Sequence, residues 1–386
     1  MNKILFMIVL LLMPSLAAAY PQYIVKGYTN CASCHYSPTG GGLPNSYGYA
    51  AQSATFPDAV DSKFLESIRT KLQKNNVTGY QEDGTTPQLQ WDIGLDARLL
   101  VLGAYTGDDE AEEEGGGGAA KTPMAIPMLF EVGGVLAYGP WITFGNITPR
   151  KSGASSRPDT IFSREHWLGR KLGETSMVRM GRMVLPFGIR TPDHTLYTRR
   201  DFGFDKWGQS YGVEWDYYSE KWMISTAAFA GDLILQPSEL QQRGGVASVS
   251  YNFPGKTSFG TSLMGSASEV TRVFAGSFFN RSKFLKHFYV MEEVSYRNEK
   301  SRDDVGIEKE LAAAFRMGWF PLESLDIYIE AATRRIFDQG ELNRSRYSVG
   351  SQWHVLPWVE LIPAFMVEKF DYKTEYTPMA QLHVVF

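Results

Sequence analysis

The stretch Leu89-Gln90-Trp91-Asp92-Ile93-Gly94-Leu95-Asp96-Ala97-Arg98-Leu99-Leu100-Val101 alternates almost without a break. Leu89, Trp91, Ile93, Leu95, Ala97, Leu99 and Val101 share one face, and Gln90, Asp92, Gly94, Asp96 and Arg98 share the other. A period of two is that of an extended strand, whose successive side chains point to opposite faces. The pattern returns along the chain. Tyr211, Val213, Trp215 and Tyr217 oppose Gly212, Glu214 and Asp216. Leu325, Ile327, Ile329 and Ala331 oppose Asp326, Tyr328 and Glu330, and Val359, Leu361, Phe365 and Val367 oppose Glu360 and Glu368. Segments of roughly ten residues with one apolar and one polar face are what a transmembrane β-barrel requires, lipid outside and water inside. A soluble β-sandwich is the rival. It buries its apolar faces against each other and rarely needs so many strands in one domain.

The connections favour the barrel. Tight links are expected near Gly139-Pro140, Gly173-Glu174, Ser219-Glu220, Pro254-Gly255, Ser282-Lys283, Leu322-Glu323 and Leu356-Pro357. Between them lie mostly longer polar links, including Thr106–Lys121, Pro149–Asp159 and Phe187–Trp207. Short turns at one end and long loops at the other are the asymmetry of outer-membrane barrels, the turns being periplasmic. The count predicts an all-β, antiparallel transmembrane barrel of about sixteen strands over residues 89–386. Trp91, Tyr138, Trp141, Trp319, Trp353 and Trp358 recur at strand ends, where interfacial girdles lie. The last segment, with Tyr376, Pro378, Ala380, Leu382 and Val384 on one face and a terminal Phe386, resembles the closing strand of bacterial outer-membrane barrels. That resemblance implies outer-membrane lipid around the chain.

Residues 1–88 are of another kind. Lys3, the apolar run Ile4–Leu12 and Ala17-Ala18-Ala19 read as a secretory signal over residues 1–19. Residues 20–88 are expected to form a short haem-binding segment, Gly- and Pro-rich after the motif below, followed by one amphipathic helix. Its marks are Val60, Phe64, Leu65, Ile68 and Leu72. The segment is predicted to lie against or inside the periplasmic mouth.

The chain has two cysteines, in Cys31-Ala32-Ser33-Cys34-His35. C-x-x-C-H is the attachment pattern of a c-type haem: two thiols spaced for the two vinyl groups, and an imidazole placed for the iron. A redox-active disulfide is the alternative, although no βαβ pattern surrounds the motif. One covalent haem c, held by Cys31, Cys34 and His35, is therefore the expected cofactor. No histidine or methionine lies between Tyr36 and Gln88. If the iron is six-coordinate, its distal ligand must come from the barrel, the mature N-terminus, another protein or a rarer side chain such as Lys or Tyr, and His354 and His383, on the lumenal register near the short-turn end, are the barrel candidates. Each is otherwise a lumenal polar residue with no metal. A mature chain opening Tyr20-Pro21 before C-A-x-C-H resembles the start of cytochrome f, which implies the Tyr20 amine as a further candidate.

The string Gly181-Arg182-Met183-Val184-Leu185-Pro186-Phe187-Gly188 is similar to G-R-x-x-x-P-F-G passages of phosphate-selective-type porins and related haem-bearing barrels. In general porins a long third loop folds into the barrel, so Arg190, His194, Arg199 and Arg200 become candidates for a constriction that favours anions. Local ion pairs with Asp193, Asp201 and Asp205 are the alternative. Asp108–Glu114, followed by four glycines, reads as a solvated acidic loop. No phosphate-cradling glycine motif, zincin string or nucleophile elbow occurs, and a net charge of -4 gives no reason to invoke nucleic acid. The expectation is electron transfer or redox-linked transport at the outer membrane, with periplasmic or multihaem cytochromes as partners. The alternatives are a solute or anion porin with a structural haem, passing small ions, and thirdly a haem-dependent reductase or peroxidase.

Overall fold

The computed structural model describes residues 31–40, 42–56, 77–103, 105–107, 123–150, 160–190, 196–204, 208–234, 236–253, 257–302, 307–337 and 343–385, with positions 23, 26 and 67. The signal segment 1–19, Tyr20, the acidic loop 108–114, His194, Phe386 and, apart from Ser67, the predicted helix over Val60–Leu72 lie outside the described residues.

Sixteen strands form the wall. They are β1 (Gln90–Leu102), β2 (Met124–Tyr138), β3 (Trp141–Arg150), β4 (His166–Lys171), β5 (Ser176–Val184), β6 (Gln209–Tyr218), β7 (Trp222–Phe229) and β8 (Arg243–Phe253). Then follow β9 (Thr257–Ala267), β10 (Thr271–Leu285), β11 (Phe288–Ser301), β12 (Ile307–Leu322), β13 (Leu325–Ile336), β14 (Asn343–Leu356), β15 (Val359–Lys369) and β16 (Thr374–Val385). Two short pieces, Tyr105–Gly107 and Thr160–Phe162, extend the pairing on β16 and β3. Each strand runs antiparallel to its neighbours, and β1 pairs both with β2 (Gly94↔Gly133) and with β16 (Ala97↔Val384). The sheet is thus closed, and closure leaves no strand edge unpaired.

The two faces of the wall explain its alternation. Trp91, Ile93, Phe130, Leu136, Ile327, Ile329 and Trp353 are exposed on the outside, while Asp92, Glu131, Arg179, Glu214, Asp326, Glu360 and His383 are buried inside. This is the reverse of a soluble sandwich. In water the apolar exterior would cost about 25 cal/mol for each Å²; in a bilayer it costs nothing. No described helix is long and apolar enough to cross a membrane.

Pro254-Gly255 lies outside the described residues; the other turns fall close to where the sequence puts them, with one correction. β10 does not end at Ser282-Lys283. It runs to Leu285, with Ser282↔Val290 and Lys283↔Tyr289 still paired to β11, and the turn is Lys286-His287. Asn280, Arg281, Ser282 and Lys283 are polar on both faces, so the alternation fades before the strand does. At Gly139 the chain turns with φ +56°, a backbone that glycine adopts without strain. One helix was not foreseen: α1 (Ser46–Thr55), capped by the Asn45 side chain, which accepts from Gly48 N at 2.9 Å. Its run S-Y-G-Y-A-A-Q-S-A-T carries no apolar stripe.

Candidate functional site

The lumen is occupied by two segments of the chain. The first is residues 31–56, which enter at the short-turn end: Lys26, just upstream, pairs at 2.7 Å with Glu323 in the β12–β13 turn. Cys31–Ser33 forms one 3-10 turn, with Cys34 N and His35 N both donating to Cys31 O at 3.1 and 3.0 Å. In such a turn residues i and i+3 lie one above the other, so Cys31 and Cys34 share a side. An isolated bridge, His35↔Pro44, then closes the loop, Asn45 N donating to Cys34 O at 2.8 Å and Tyr36 N to Leu43 O at 3.4 Å. Two glycines back the cysteines. A Cβ on Gly40 would stand 3.3 Å from Cys31 Sγ, and one on Gly48 would collide with the Cys34 carbonyl.

This donor set fits a covalently attached haem: two thiols on one side of a turn, an adjacent imidazole, and glycines where the backbone crowds the cysteines. Thiol exchange fits it less well. Burial, with Cys31 second, pushes the Cys34 thiol up to about 11, whereas exchange cysteines have a depressed value.

Beyond the motif, polar contacts key the segment to the wall. Tyr36 Oη donates to Asp92 Oδ2 on β1 at 3.2 Å. Arg179 of β5, wholly buried, donates to Ser37 Oγ at 2.7 Å and Thr39 Oγ1 at 2.8 Å. Its other face meets Glu214 through Nε at 3.0 Å, with Asp216 at 3.7 Å. Tyr36 and Leu43 join Val135, Phe144 and Trp167 in one apolar cluster. At the far end of α1, Phe56 stacks on His354 of β14, ring centroids 3.8 Å apart and 15° from parallel.

The second segment is the third long loop, described over 185–190 and 196–204. Its Gly188 has φ +60°, and a Cβ there would collide with the Glu293 carboxylate, which accounts for the glycine closing the G-R-x-x-x-P-F-G string. Gly188 N donates to Ser262 Oγ at 3.0 Å and Ile189 N to Glu293 Oε2 at 3.1 Å. Phe187 stacks on Phe204 at 4.2 Å, and Leu185, Leu196, Tyr197 and Phe202 pack with them on Ala227, Phe229, Val246 and Ala312 of the wall. A four-residue helix, α2 (Tyr197–Arg200), carries Tyr197, whose Oη donates to Glu368 at 2.6 Å.

The predicted constriction arginines are brought to this loop but not to one another. Arg190 pairs with Glu165 at 3.0 Å and reaches Thr39 at 3.4 Å. Arg199 is buried and donates to the Phe187 carbonyl at 2.6 Å. Arg200, partly exposed, pairs with Asp201 at 3.0 Å. Only Arg200 meets one of the aspartates named from sequence, Asp201; Arg190 and Arg199 are held instead by Glu165 and the Phe187 carbonyl. Both candidate histidines face the lumen. His383 is held between Glu360 Oε2 and Asp96 Oδ1, each at 3.1 Å, so both ring nitrogens are engaged. His354 stands 3.7 Å from Glu360 with its ring face on Phe56. Among the described residues no group of three or more His, Cys, Asp or Glu has the arrangement of a metal site. Sequence reasoning passed over Arg179 and Arg281, though each sits on an inward register that alternation reveals once the strand is placed.

No protein-family model matches the chain, and no curated protein matches it. Among solved structures it is similar to OmpT, an outer membrane protein of Vibrio cholerae, at 8% identity and TM-score 0.60, covering 78% of this chain and 99% of that one. The outer membrane channel DcaP of Acinetobacter baumannii matches at 13% identity and TM-score 0.55 over 80% and 100% of the two chains. An anion-selective porin from Comamonas acidovorans matches at 11% and TM-score 0.57, over 77% and 100%. At these identities the likeness is one of fold: the chain has the porin-type barrel.

Proposed function

We propose that the chain is an outer-membrane channel of the porin type for small solutes, its lumen narrowed by an N-terminal segment that carries one covalent haem c. The observation behind this is the seating of residues 36–56 on inward side chains of β1, β3, β5 and β14, through Asp92, Phe144, Arg179 and His354. Periplasmic short turns, a signal over residues 1–19 and the porin-type wall support the location. Cys31, Cys34 and His35 would hold the haem, which supplies one-electron chemistry when bound. The protein's own part is to fix the segment, through Arg179 and Asp92, and to exclude bulk water around it.

Electron transfer is the second reading, favoured by the motif itself. One haem is narrower than the apolar band of such barrels, about 25 Å, so that reading needs partner cytochromes on the periplasmic side. Bilayer conductance separates the two. Protein made with a cytochrome c maturation system should stain for haem on denaturing gels and should conduct small ions. The Cys31→Ala/Cys34→Ala variant should lose the stain and conduct more. A haem-bearing protein that does not conduct, yet passes electrons across a liposome wall to a partner cytochrome, would displace the solute reading.

A further inference from the structure

Four consecutive strands carry a cation on the outward register at their long-loop ends: Arg272 on β10, Lys300 on β11, Lys309 on β12 and Arg335 on β13. Arg272, Lys300 and Arg335 are exposed, and Lys309 is half-buried. The pairing sets them side by side. Arg272 stands directly opposite Lys300, which brings their Cβ atoms to about 5 Å. Lys300 faces Ile307, two residues before Lys309, and Arg335 faces Leu311, two residues after it. Diagonal neighbours of that kind lie about 7–8 Å apart. The Arg335 guanidinium is braced 5.1 Å over the Phe337 ring. The carboxylates at this end of β11 and β12 are on the other face: Glu299, Glu308 and Glu310 point inward, where Arg297 meets all three, Glu310 at 3.6 Å.

The row begins where the apolar exterior ends. Phe274, Val294, Leu311 and Ile329 are exposed on the same face, further down the same four strands. With the short turns periplasmic, this edge meets the outer leaflet. It occupies one side of the wall: on β1, β2 and β3 the outward residues at the same end are the exposed Val101, Met124 and Ile147. Like charges set directly opposite each other cost stability, whereas opposite charges there stabilise. An anion at this height reverses the sign for all four cations at once.

We propose that Arg272, Lys300, Lys309 and Arg335 seat the phosphates of an anionic outer-leaflet lipid, whose acyl chains lie on Phe274 and Leu311. The inference rests on the outer-membrane reading above. Arginine forks and ammonium groups both donate charge-assisted hydrogen bonds to phosphate oxygens. Continuity with the apolar wall selects a lipid over free phosphate, because one molecule then meets the charge and the exposed rings together.

The test is native mass spectrometry of the full-length protein, extracted from outer-membrane fractions into detergent and titrated with lipid A, which carries two phosphates. The wild type should retain it, and should hold its monophosphorylated form more weakly. Arg272→Gln/Lys300→Gln should weaken retention about thirtyfold, roughly fivefold for each cation. Arg272→Lys/Lys300→Arg, which keeps both charges, should stay near the wild type. Lys309→Gln alone should cost roughly fivefold, and it carries the test should the double variant fail to assemble. Arg170→Gln, an exposed outward arginine at the short-turn end of β4, should change nothing. Unweakened retention in the Gln variants overturns the inference, as does an equal loss in Arg170→Gln. Displacement of the lipid by inorganic phosphate would assign the row to free anions and overturn it too. A chain absent from outer-membrane fractions overturns the reading beneath, whereas an outer-membrane barrel indifferent to these substitutions overturns the inference alone.

Discussion

The two segments inside the lumen are held there by different physics. The third loop is built into the wall: Phe187, Leu196, Tyr197, Phe202 and Phe204 form one apolar cluster with residues of β7, β8 and β12. The N-terminal segment brings fewer apolar side chains, Tyr36, Leu43 and Phe56 foremost, and depends on polar keys to Asp92 and Arg179. Apolar contact is non-directional and additive. A hydrogen bond adds only about 1 kcal/mol net. The loop is thus part of what makes the barrel, while the N-terminal segment is fitted into a barrel that the wall already defines.

That contrast can be broken most directly by deletion. A chain lacking residues 31–56 should still yield a folded barrel on semi-native gels and conduct several-fold more than the wild type in planar bilayers. Loss of the barrel would mean the segment belongs to the wall's own core. Next in size is Phe187→Ala, which removes a stacked ring from the loop cluster and should cost about 3–5 kcal/mol. Urea unfolding in detergent micelles measures it; a cost below about 1 kcal/mol would make the loop no better anchored than the segment. Tyr36→Phe removes the bond to Asp92 and should cost about 1 kcal/mol, read as a small rise in proteolysis of the segment with the wall intact. The smallest effect concerns Asp83, in the exposed turn before β1. The Thr86 side chain and the Thr85 and Thr86 amides hold its carboxyl down at about 2. A depressed carboxyl stabilises the fold above its ordinary range and stops doing so as pH falls through the lowered value. Amide exchange at Thr85 and Thr86 should therefore stay slow at about pH 3, and early loss of protection there would refute it.

The wall was legible in the sequence because its two solvents differ. Wherever lipid lies on one side and the lumen on the other, as from Trp91 to Val101, alternation is enforced residue by residue. Where polar residues occupy both faces of a strand that contrast ends, and Ser282-Lys283 then reads as a turn four residues before Lys286-His287. The motif at Cys31 was legible as local chemistry and its segment was expected against or inside the mouth, but the side chains that seat it were not legible. The Ser37 and Thr39 contacts with Arg179 join residues some 140 positions apart, and no local pattern encodes such pairs. α1 was invisible because a short capped helix of Ala, Ser, Gly and Tyr has neither a stripe nor a strong propensity. The arginines of the third loop were found, but their partners, the Phe187 carbonyl and Glu165, come from backbone and from a distant loop.

The seam between β1 and β16 also bears on the order in which the molecule is made. A closed ring has no side door. Residues 31–56 lie within it, yet they precede β1 in the chain, and the ring is complete only when Val384 reaches Ala97. A group bonded to Cys31, as proposed above, would have to be in place before that last strand zips or thread in through the turn-lined mouth where Lys26 meets Glu323. The segment inside the ring thus comes before the strands that enclose it, and the pairing that closes the ring joins the first of those strands to the last.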